Sequence, residues 1–228
     1  MAREGEIRCG EFTVDDLTTA AANGDLAKVR DILQTGVDVN GRNSFGRTAV
    51  QVMTHTYVDL ADELLCAGAD PNVKDISHRH IGGTSTYRTI CHDVAESGSL
   101  PTLQCLLRHG ADISLRDKRG NTPAHVAAKS GHFKLVQYLL CGMATNVTND
   151  LKRTPLDYLD SKEDPGCRQW VERRRSTPAT LRTLCVVVVR SALGPGRLKD
   201  LSRLQLPGPV VSCVQLQNLR ALEAEIDC

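Results

Sequence analysis

Residues 106–112 read Leu-Leu-Arg-His-Gly-Ala-Asp, and residues 64–70 repeat the phrase as Leu-Leu-Cys-Ala-Gly-Ala-Asp. Weaker copies occupy residues 32–38 and 139–142, so the glycines of the phrase stand at positions 36, 68, 110 and 142. Their spacing of 32, 42 and 32 residues indicates one structural unit that recurs with a period of about 33. The chain is therefore predicted to be a stack of similar units.

The glycine in each copy falls where a helix is expected to end. Glycine closes a helix in the left-handed conformation without the steric cost of a Cβ atom. Residues 121–128 mark the start of a helix, because Pro123 suits the first turn of a helix. Val126, Ala127 and Ala128 follow on the predicted buried face. Each unit is thus predicted to contain short helices separated by turns.

The period and the phrase Asn121-Thr122-Pro123-Ala124-His125 resemble the ankyrin repeat, whose corresponding phrase is Thr-Pro-Leu-His. The resemblance covers about Asp15 to Leu159. It implies an all-α fold: an ankyrin-repeat solenoid of four to five helix-turn-helix units at residues 12–159, followed by a small helical appendage. In such a stack the turns and the first helices form an exposed concave face that recognises other proteins.

Charge and composition exclude several classes of partner. The 28 basic and 27 acidic residues leave a formal net charge of +1, which disfavours nucleic acid and anionic membranes. The longest apolar run, residues 184–189, is far shorter than the roughly 20 residues that cross a bilayer. The charged residues 1–10 do not resemble a secretory signal. The nine cysteines stand singly, so we expect a protein of the cytoplasm and nucleus.

Histidines are the natural candidates for chemistry. His92 stands beside Asp93, and His125 occupies the same place in the next unit. However, the chain has no nucleophile elbow, no glycine-rich phosphate loop and no His-Glu-x-x-His motif. A histidine at this place in an ankyrin unit usually bonds to the neighbouring turn, and His78 and His80 do not complete a tetrahedral metal set. We predict no enzyme activity, no catalytic residue, no metal and no cofactor.

Residues 43–53, Asn-Ser-Phe-Gly-Arg-Thr-Ala-Val-Gln-Val-Met, resemble the second-repeat opening of the ankyrin-type inhibitors of cyclin-D-dependent kinases. In that family the helix at this point is cut short, and here only residues 54–57 separate Met53 from the next apolar helix. Residues 91–98, Cys-His-Asp-Val-Ala-Glu-Ser-Gly, resemble the family's third-repeat opening. The similarity runs from about Leu17 to Leu159.

This resemblance implies a repeat face that docks beside the nucleotide cleft of a kinase. In the family, the aspartate matching Asp93 makes an acidic contact to a basic kinase residue. Glu96 stands where the family usually has arginine, and Pro101 stands where it usually has an acidic residue, so the contact surface differs. The residues expected to bind the target are Phe45, Arg47, Gln51, Asp93 and Glu96.

The stretch Asp75–Arg88 is longer than the family's turn and accounts for the long spacing between Gly68 and Gly110. Two interpretations stay open. Its content of serine, threonine, glycine and histidine suits a disordered insertion, whereas its place near the predicted face suits a new binding loop.

A different pattern begins after Leu159. Residues 160–176 are predicted to be a linker. Residues 180–189, Thr-Leu-Arg-Thr-Leu-Cys-Val-Val-Val-Val, resemble the opening of the SOCS box of the ankyrin-and-SOCS-box proteins, so we assign residues 177–216 to a SOCS-box-like region and residues 217–228 to a C-terminal tail. In that family the SOCS box binds the elongin heterodimer and a cullin. The resemblance implies elongin-binding residues Leu181, Cys185, Val188 and Val189, and cullin-binding residues Leu206, Pro207 and Pro209.

Two structures stay open for residues 180–189. Helical spacing would collect the elongin-binding residues on one apolar stripe that needs a partner. Four consecutive valines also suit a buried strand, because β-branched side chains lose rotamer freedom in helices. Gly208 lies between the two prolines where the family has an aliphatic residue, and Cys213 also departs from its pattern, so the cullin-binding element differs from that of the family.

Three hypotheses for function follow from these resemblances. The leading one is a non-enzymatic adaptor, the substrate-recognition subunit of an elongin and cullin-RING ubiquitin ligase. The alternative is a stoichiometric inhibitor of a cyclin-D-dependent kinase that acts through the ankyrin face and regulates the cell cycle. The third is a plain ankyrin scaffold whose tail packs on the last repeat.

Overall fold

The computed structural model describes residues 12–53, 57–75, 86–141, 147–159, 166 and 169–172. Every regular element in these ranges is an α-helix, which confirms the predicted all-α class. None of these helices is long and apolar enough to cross a bilayer. They are α1 (Val14–Asn23), α2 (Leu26–Gln34), α3 (Ala49–Val52), α4 (Val58–Cys66), α5 (Ile90–Ser97), α6 (Leu100–Arg108), α7 (Pro123–Ser130), α8 (Phe133–Cys141) and α9 (Pro155–Leu159).

Consecutive helices pair into repeats, and the repeats stack. Helices α1 and α2, α3 and α4, α5 and α6, and α7 and α8 form four units, and α9 opens a fifth. The first helices contact one another as α1–α3, α5–α7 and α7–α9, while the second helices contact one another as α2–α4 and α4–α6. One apolar core runs from Leu17 to Leu159 along these seams. The predicted ankyrin solenoid is therefore confirmed.

Every first helix begins with the same N-capping arrangement. A threonine precedes the helix, and its backbone N–H donates to the side chain three residues later, which satisfies a donor that the helix itself leaves unpaired. The five pairs are Thr13 with Asp16 (2.9 Å), Thr48 with Gln51 (3.0 Å), Thr89 with His92 (3.1 Å), Thr122 with His125 (3.1 Å) and Thr154 with Asp157 (2.6 Å).

The aspartate of the recurring phrase closes the turn after the second helix in each of the first three repeats. Its carboxylate accepts the backbone N–H two residues later, from Asn40 in the first repeat and Asn72 in the second. Each asparagine then bridges to the next repeat. Asn40 donates to the Gly68 carbonyl at 3.0 Å and accepts from the Asp70 N–H at 2.8 Å. Asn72 repeats both bonds with Gly110 and Asp112, so the phrase supplies contacts between units as well as turns.

Helix α3 is only four residues long, which confirms the predicted short helix in the second repeat. Backbone hydrogen bonds join the two ends of the long stretch Asp75–Arg88. The Asp75 N–H donates to the Arg88 carbonyl at 2.8 Å, and the Tyr87 N–H donates to the Asp75 carbonyl at 3.1 Å. Residues 76–85 of the insertion lie outside the described residues, so its two predicted interpretations stay open.

The prediction that residues 160–176 form a linker is wrong in part. Residues 169–172 are helical, and Val171 is buried in the core. The Trp170 ring stands edge-on to the Phe133 ring of α8, with their centroids 5.4 Å apart. Linkers expose their side chains to solvent, whereas Val171 is buried in the core and Trp170 packs against Phe133 of α8. The predicted segments 177–216 and 217–228 lie outside the described residues.

Candidate protein-binding face

A hairpin-shaped finger joins each repeat to the next, at residues 43–47, 75–88, 117–121 and 149–153. The fingers are closed by a backbone bond across their bases, in which Asn43 donates to Arg47, Asp117 to Asn121 and Asn149 to Arg153. Asp75 and Arg88 form the same bond around the insertion. The base of the finger that holds the insertion therefore has the same form as the bases of the other fingers.

Phe45 stands at the tip of the first finger. The Asn43 side chain accepts the backbone N–H groups of both Phe45 and Arg47 at 3.0 Å, and Gly46 adopts the left-handed conformation with a φ of 78°. This turn holds the Phe45 side chain outward, where it is 57% exposed. An exposed aromatic side chain on a rigid turn is suited to protein contact because it loses little conformational freedom on binding.

Arg47 joins two fingers. One of its guanidinium nitrogens lies 2.9 Å from the Asp75 carboxylate, which is buried at the base of the next finger. The arginine side chain remains partly exposed. Arg47 is therefore placed at the predicted face, and its ion pair connects the first finger to the base of the insertion.

Gln51 does not reach the face, so the structure contradicts its prediction as a target-binding residue. Its side chain is buried at 6% exposure. The amide oxygen accepts the Thr48 N–H at 3.0 Å, and the amide nitrogen donates to the Val73 carbonyl at 3.1 Å. Both ends of the amide are thus occupied inside the stack, where Gln51 connects α3 to the following turn.

Asp93 and Glu96 lie on α5 beside a shared cation. Arg88 Nε lies 2.8 Å from Asp93 Oδ1, and Arg88 Nη2 donates to Glu96 Oε2 at 2.5 Å. The Nε–H is not directed at an acceptor, so the contact with Asp93 is an ion pair without a hydrogen bond. The Glu96 side chain is more than half exposed, whereas Asp93 is about one third exposed. Arg88, at the end of the insertion, is the member of this site that the sequence did not identify.

The two histidines of the first helices are structural. The Thr89 N–H donates to His92 Nδ1, so Nε2 carries the proton and donates to the Asn121 carbonyl at 3.0 Å. His125 has the same arrangement, with Thr122 on one side and the Arg153 carbonyl at 3.1 Å on the other. The prediction that these histidines bond to the neighbouring turn is confirmed.

Burial sets the charge state of both histidines. Burial lowers the pKa of His92 to about 4, although the hydrogen bond to Asn121 acts in the opposite direction. Burial also lowers the pKa of His125. Each ring is therefore neutral at neutral pH, which matches the acceptor role of Nδ1.

A groove continues the face toward the fourth repeat. Its lining includes Arg88 and Glu96, together with Lys118, Arg119 and Asp150 from the fingers that follow. The backbone links these fingers, because the Lys118 N–H donates to the Thr86 carbonyl and the Asp150 N–H donates to the Arg119 carbonyl. The groove thus carries charges of both signs. Sequence reasoning missed its cationic residues because single lysines and arginines on turns are ordinary surface residues.

The predicted elongin-binding residues Leu181, Cys185, Val188 and Val189 lie outside the described residues. The same is true of the predicted cullin-binding residues Leu206, Pro207 and Pro209. The SOCS-box-like region therefore stays a prediction.

Comparison with known proteins places the repeats in a family. A family model for ankyrin repeats in three copies matches residues 89–163. The chain is 40% identical over 125 residues to human cyclin-dependent kinase 4 inhibitor B, which covers 55% of this chain and 85% of that protein. It is 40% identical over 128 residues to cyclin-dependent kinase inhibitor 2A of Monodelphis domestica, with 56% and 70% covered. For human cyclin-dependent kinase inhibitor 2A the identity is 38% over 129 residues, with 57% and 78% covered. The chain belongs to the ankyrin-repeat family of these cyclin-dependent kinase inhibitors.

Proposed function

We propose that this protein is a stoichiometric inhibitor of a cyclin-D-dependent kinase and acts through its concave ankyrin face. The observation that carries this proposal is the 40% identity to a cyclin-dependent kinase 4 inhibitor over 85% of that inhibitor's length. A similarity that extends through most of an inhibitor points to a shared partner more strongly than one ankyrin motif does. Of the hypotheses drawn from the sequence, the comparisons favour the kinase inhibitor over the ubiquitin-ligase adaptor.

The face offers two kinds of contact for a kinase. Phe45 supplies an exposed aromatic anchor on a rigid turn. Asp93 supplies a carboxylate at the position where the family makes its acidic contact. Aromatic anchors and paired charges commonly carry most of the energy of a protein interface. Inhibition would then follow from occupancy of the kinase beside its nucleotide cleft, and this chain would perform no chemistry.

The experiment is a titration of a purified cyclin-D-dependent kinase with the full chain, followed by its phosphorylation of a protein substrate. We expect inhibition that saturates at one chain per kinase. Phe45→Ala and Asp93→Asn are expected to weaken binding by tenfold or more, as for central interface residues.

The matched control for the charge is Asp59→Asn, because Asp59 is an exposed aspartate on the second helix α4, away from the first helices. It should inhibit like the unaltered chain. A chain that never inhibits the kinase at saturating concentration would refute the proposal. Equal losses of kinase affinity from Asp59→Asn and Asp93→Asn would show that the kinase does not bind at the proposed face.

A second candidate function rests on the SOCS-box resemblance of residues 180–189. Under this proposal the tail binds the elongin heterodimer and recruits a cullin, so that the protein held by the repeats becomes a ubiquitination target in the cytoplasm or nucleus. Co-expression of the full chain with the elongin heterodimer tests it by size-exclusion chromatography. Co-elution that is lost with Leu181→Ala and Cys185→Phe supports this function, whereas separate elution of the unaltered chain excludes it.

A further inference from the structure

Three possible metal ligands meet on the second helices, outside the face described above. Asp62 lies on α4, Cys105 lies on α6, and His109 follows the last turn of α6. His109 Nε2 lies 3.0 Å from Asp62 Oδ1, and the Cys105 thiol donates to the same oxygen at 3.4 Å. The three ligand atoms all lie within 4.8 Å of one another.

These separations suit a tetrahedral zinc ion. Zinc binds sulfur at about 2.3 Å and imidazole nitrogen or carboxylate oxygen at about 2.0–2.2 Å, so ligand atoms on a tetrahedron stand roughly 3.4–3.6 Å apart. The observed separations bracket this range, and small side-chain adjustments would reach it. Sulfur, nitrogen and carboxylate oxygen together form a set that zinc prefers over magnesium or calcium.

Helix spacing offers a candidate for the fourth ligand of a tetrahedral ion. Cys105 and His109 are four residues apart, which places them on one side of α6. Cys66 is four residues after Asp62, so the two side chains lie on one side of α4. The Cys66 thiol lies outside the cluster of three ligand atoms, and its side chain would have to turn toward them to bind the same ion. Cys66 is exposed and Asp62 and His109 are half-buried, so an ion has access from solvent.

We propose that Asp62, Cys66, Cys105 and His109 form a Zn²⁺ site that clips the second repeat to the third. The ion would replace the two hydrogen bonds at Asp62 Oδ1. The protons of both thiols would leave to solvent, and the neutral His109 ring would carry its proton on Nδ1 so that Nε2 can bind the ion. The two repeats joined by the clip are those that flank the insertion Asp75–Arg88. A junction between repeats depends on nearest-neighbour contacts, so an added cross-link there stabilises the stack directly.

The sequence predicts no metal at these positions, because Asp62 and Cys105 are 43 residues apart and match no compact zinc motif. Only the stacking of α4 on α6 brings the pair Asp62 and Cys66 to the pair Cys105 and His109. The site lies on the second helices, whereas the proposed kinase face is built from fingers and first helices. The inference is therefore independent of the proposed function.

The test uses the full chain, reduced and freed of metal with a chelator, and titrated with Zn²⁺ against a colorimetric zinc indicator. We expect one equivalent bound with micromolar affinity or tighter. Zn²⁺ should raise the Tm by roughly 5–10 °C when it exceeds its Kd a hundredfold. Co²⁺ in place of Zn²⁺ should give the visible bands of a tetrahedral ion and a thiolate charge-transfer band.

Asp62→Asn, Cys66→Ser and His109→Gln change exposed or half-buried side chains, so these variants are expected to fold. Each should weaken Zn²⁺ binding by tenfold or more and remove the rise in Tm. Asp59→Asn on the same helix and Cys91→Ser, a buried cysteine on α5, are the matched controls and should bind like the unaltered chain. Equal Zn²⁺ affinity of the unaltered chain and of His109→Gln, or a Co²⁺ complex without thiolate charge transfer, overturns the proposal.

Discussion

Arg88 Nε lies 2.8 Å from Asp93 Oδ1, so the carboxylate that is expected to contact a kinase is paired within its own repeat. The same guanidinium donates to Glu96 and to the carbonyl of His92. Arg88 is also the residue at which the insertion returns to the stack, since its carbonyl accepts the Asp75 N–H. The end of the insertion therefore controls the charge of the proposed contact surface.

Arg88→Ala is predicted to strengthen kinase binding, provided that Asp93 makes the proposed acidic contact. Removing the guanidinium leaves the carboxylate without this competing cation. Because partly exposed ion pairs contribute about 0.2–1 kcal/mol, we expect about a twofold to fivefold gain in affinity. Surface plasmon resonance against the immobilised kinase measures this change.

The control for that change is Arg30→Ala, because Arg30 makes a similar 2.8 Å ion pair with Glu63 between second helices. This variant should bind the kinase with unchanged affinity. If Arg88→Ala weakens binding while the chain stays folded, then Arg88 itself contacts the kinase.

Acid is predicted to destabilise the repeats through His92. Its pKa is about 4 in the folded chain because of burial, and the unfolded value is near 6.5. Between these values the unfolded chain binds more protons, so stability falls as pH drops from about 6.5 to about 4. One such group contributes up to about 1.4 kcal/mol per pH unit in this window. Urea unfolding at several pH values measures the slope.

His92→Gln isolates the contribution of this histidine. Gln51 makes equivalent bonds in the second repeat, accepting from Thr48 and donating to the next turn, so glutamine should also serve at position 92. The variant is expected to fold and to lose stability less steeply in acid. An unchanged slope would show that other groups carry the acid sensitivity.

Gly98→Ala is predicted to destabilise the junction between the third and fourth repeats. Gly98 has a φ of 79°, and a Cβ atom there would lie 2.5 Å from His132 Nδ1. The left-handed backbone alone costs a residue with a Cβ atom about 1 kcal/mol or more. The clash adds to this cost, because His132 is held by a bond to the Glu96 carbonyl.

Urea unfolding of Gly98→Ala and Gly68→Ala separates the cost of the left-handed backbone from the cost of the clash with His132. Gly68 has a φ of 96°, but a Cβ atom added there would meet no other atom within 4 Å. We expect Gly98→Ala to lose more stability than Gly68→Ala, and His132→Ala to reduce the difference. Equal losses at the two glycines would mean that His132 moves aside freely.

Trp170→Ala is predicted to lower stability by about 1–3 kcal/mol, because the Trp170 ring is partly buried against Phe133 of α8. Chemical denaturation of the full chain measures the loss. Gln169→Ala is the matched control, since Gln169 is exposed in the same helical segment and should cost little. A Trp170→Ala chain as stable as the control would show that this segment contributes nothing to the stack.

Local patterns predicted the features that depend on neighbours in the chain. The recurring phrase gave the number and order of the units, because helix ends and turns are set by residues a few positions apart. The roles of His92 and His125 were also predictable, since a side chain three residues into a first helix always meets the same bonding groups. The resemblance at residues 43–53 correctly indicated the short helix α3.

Contacts between distant residues were decided only by the stacked structure. Gln51 was assigned to the surface, yet the turn at Val73 covers it. The segment around Trp170 was assigned to a linker, yet α8 offers it an apolar partner. The meeting of Asp62 with Cys105 and His109 requires α4 to lie against α6. A repeat sequence determines its own helices because these form from local bonds, but only packing between repeats determines which side chains are buried, paired or left exposed to a partner.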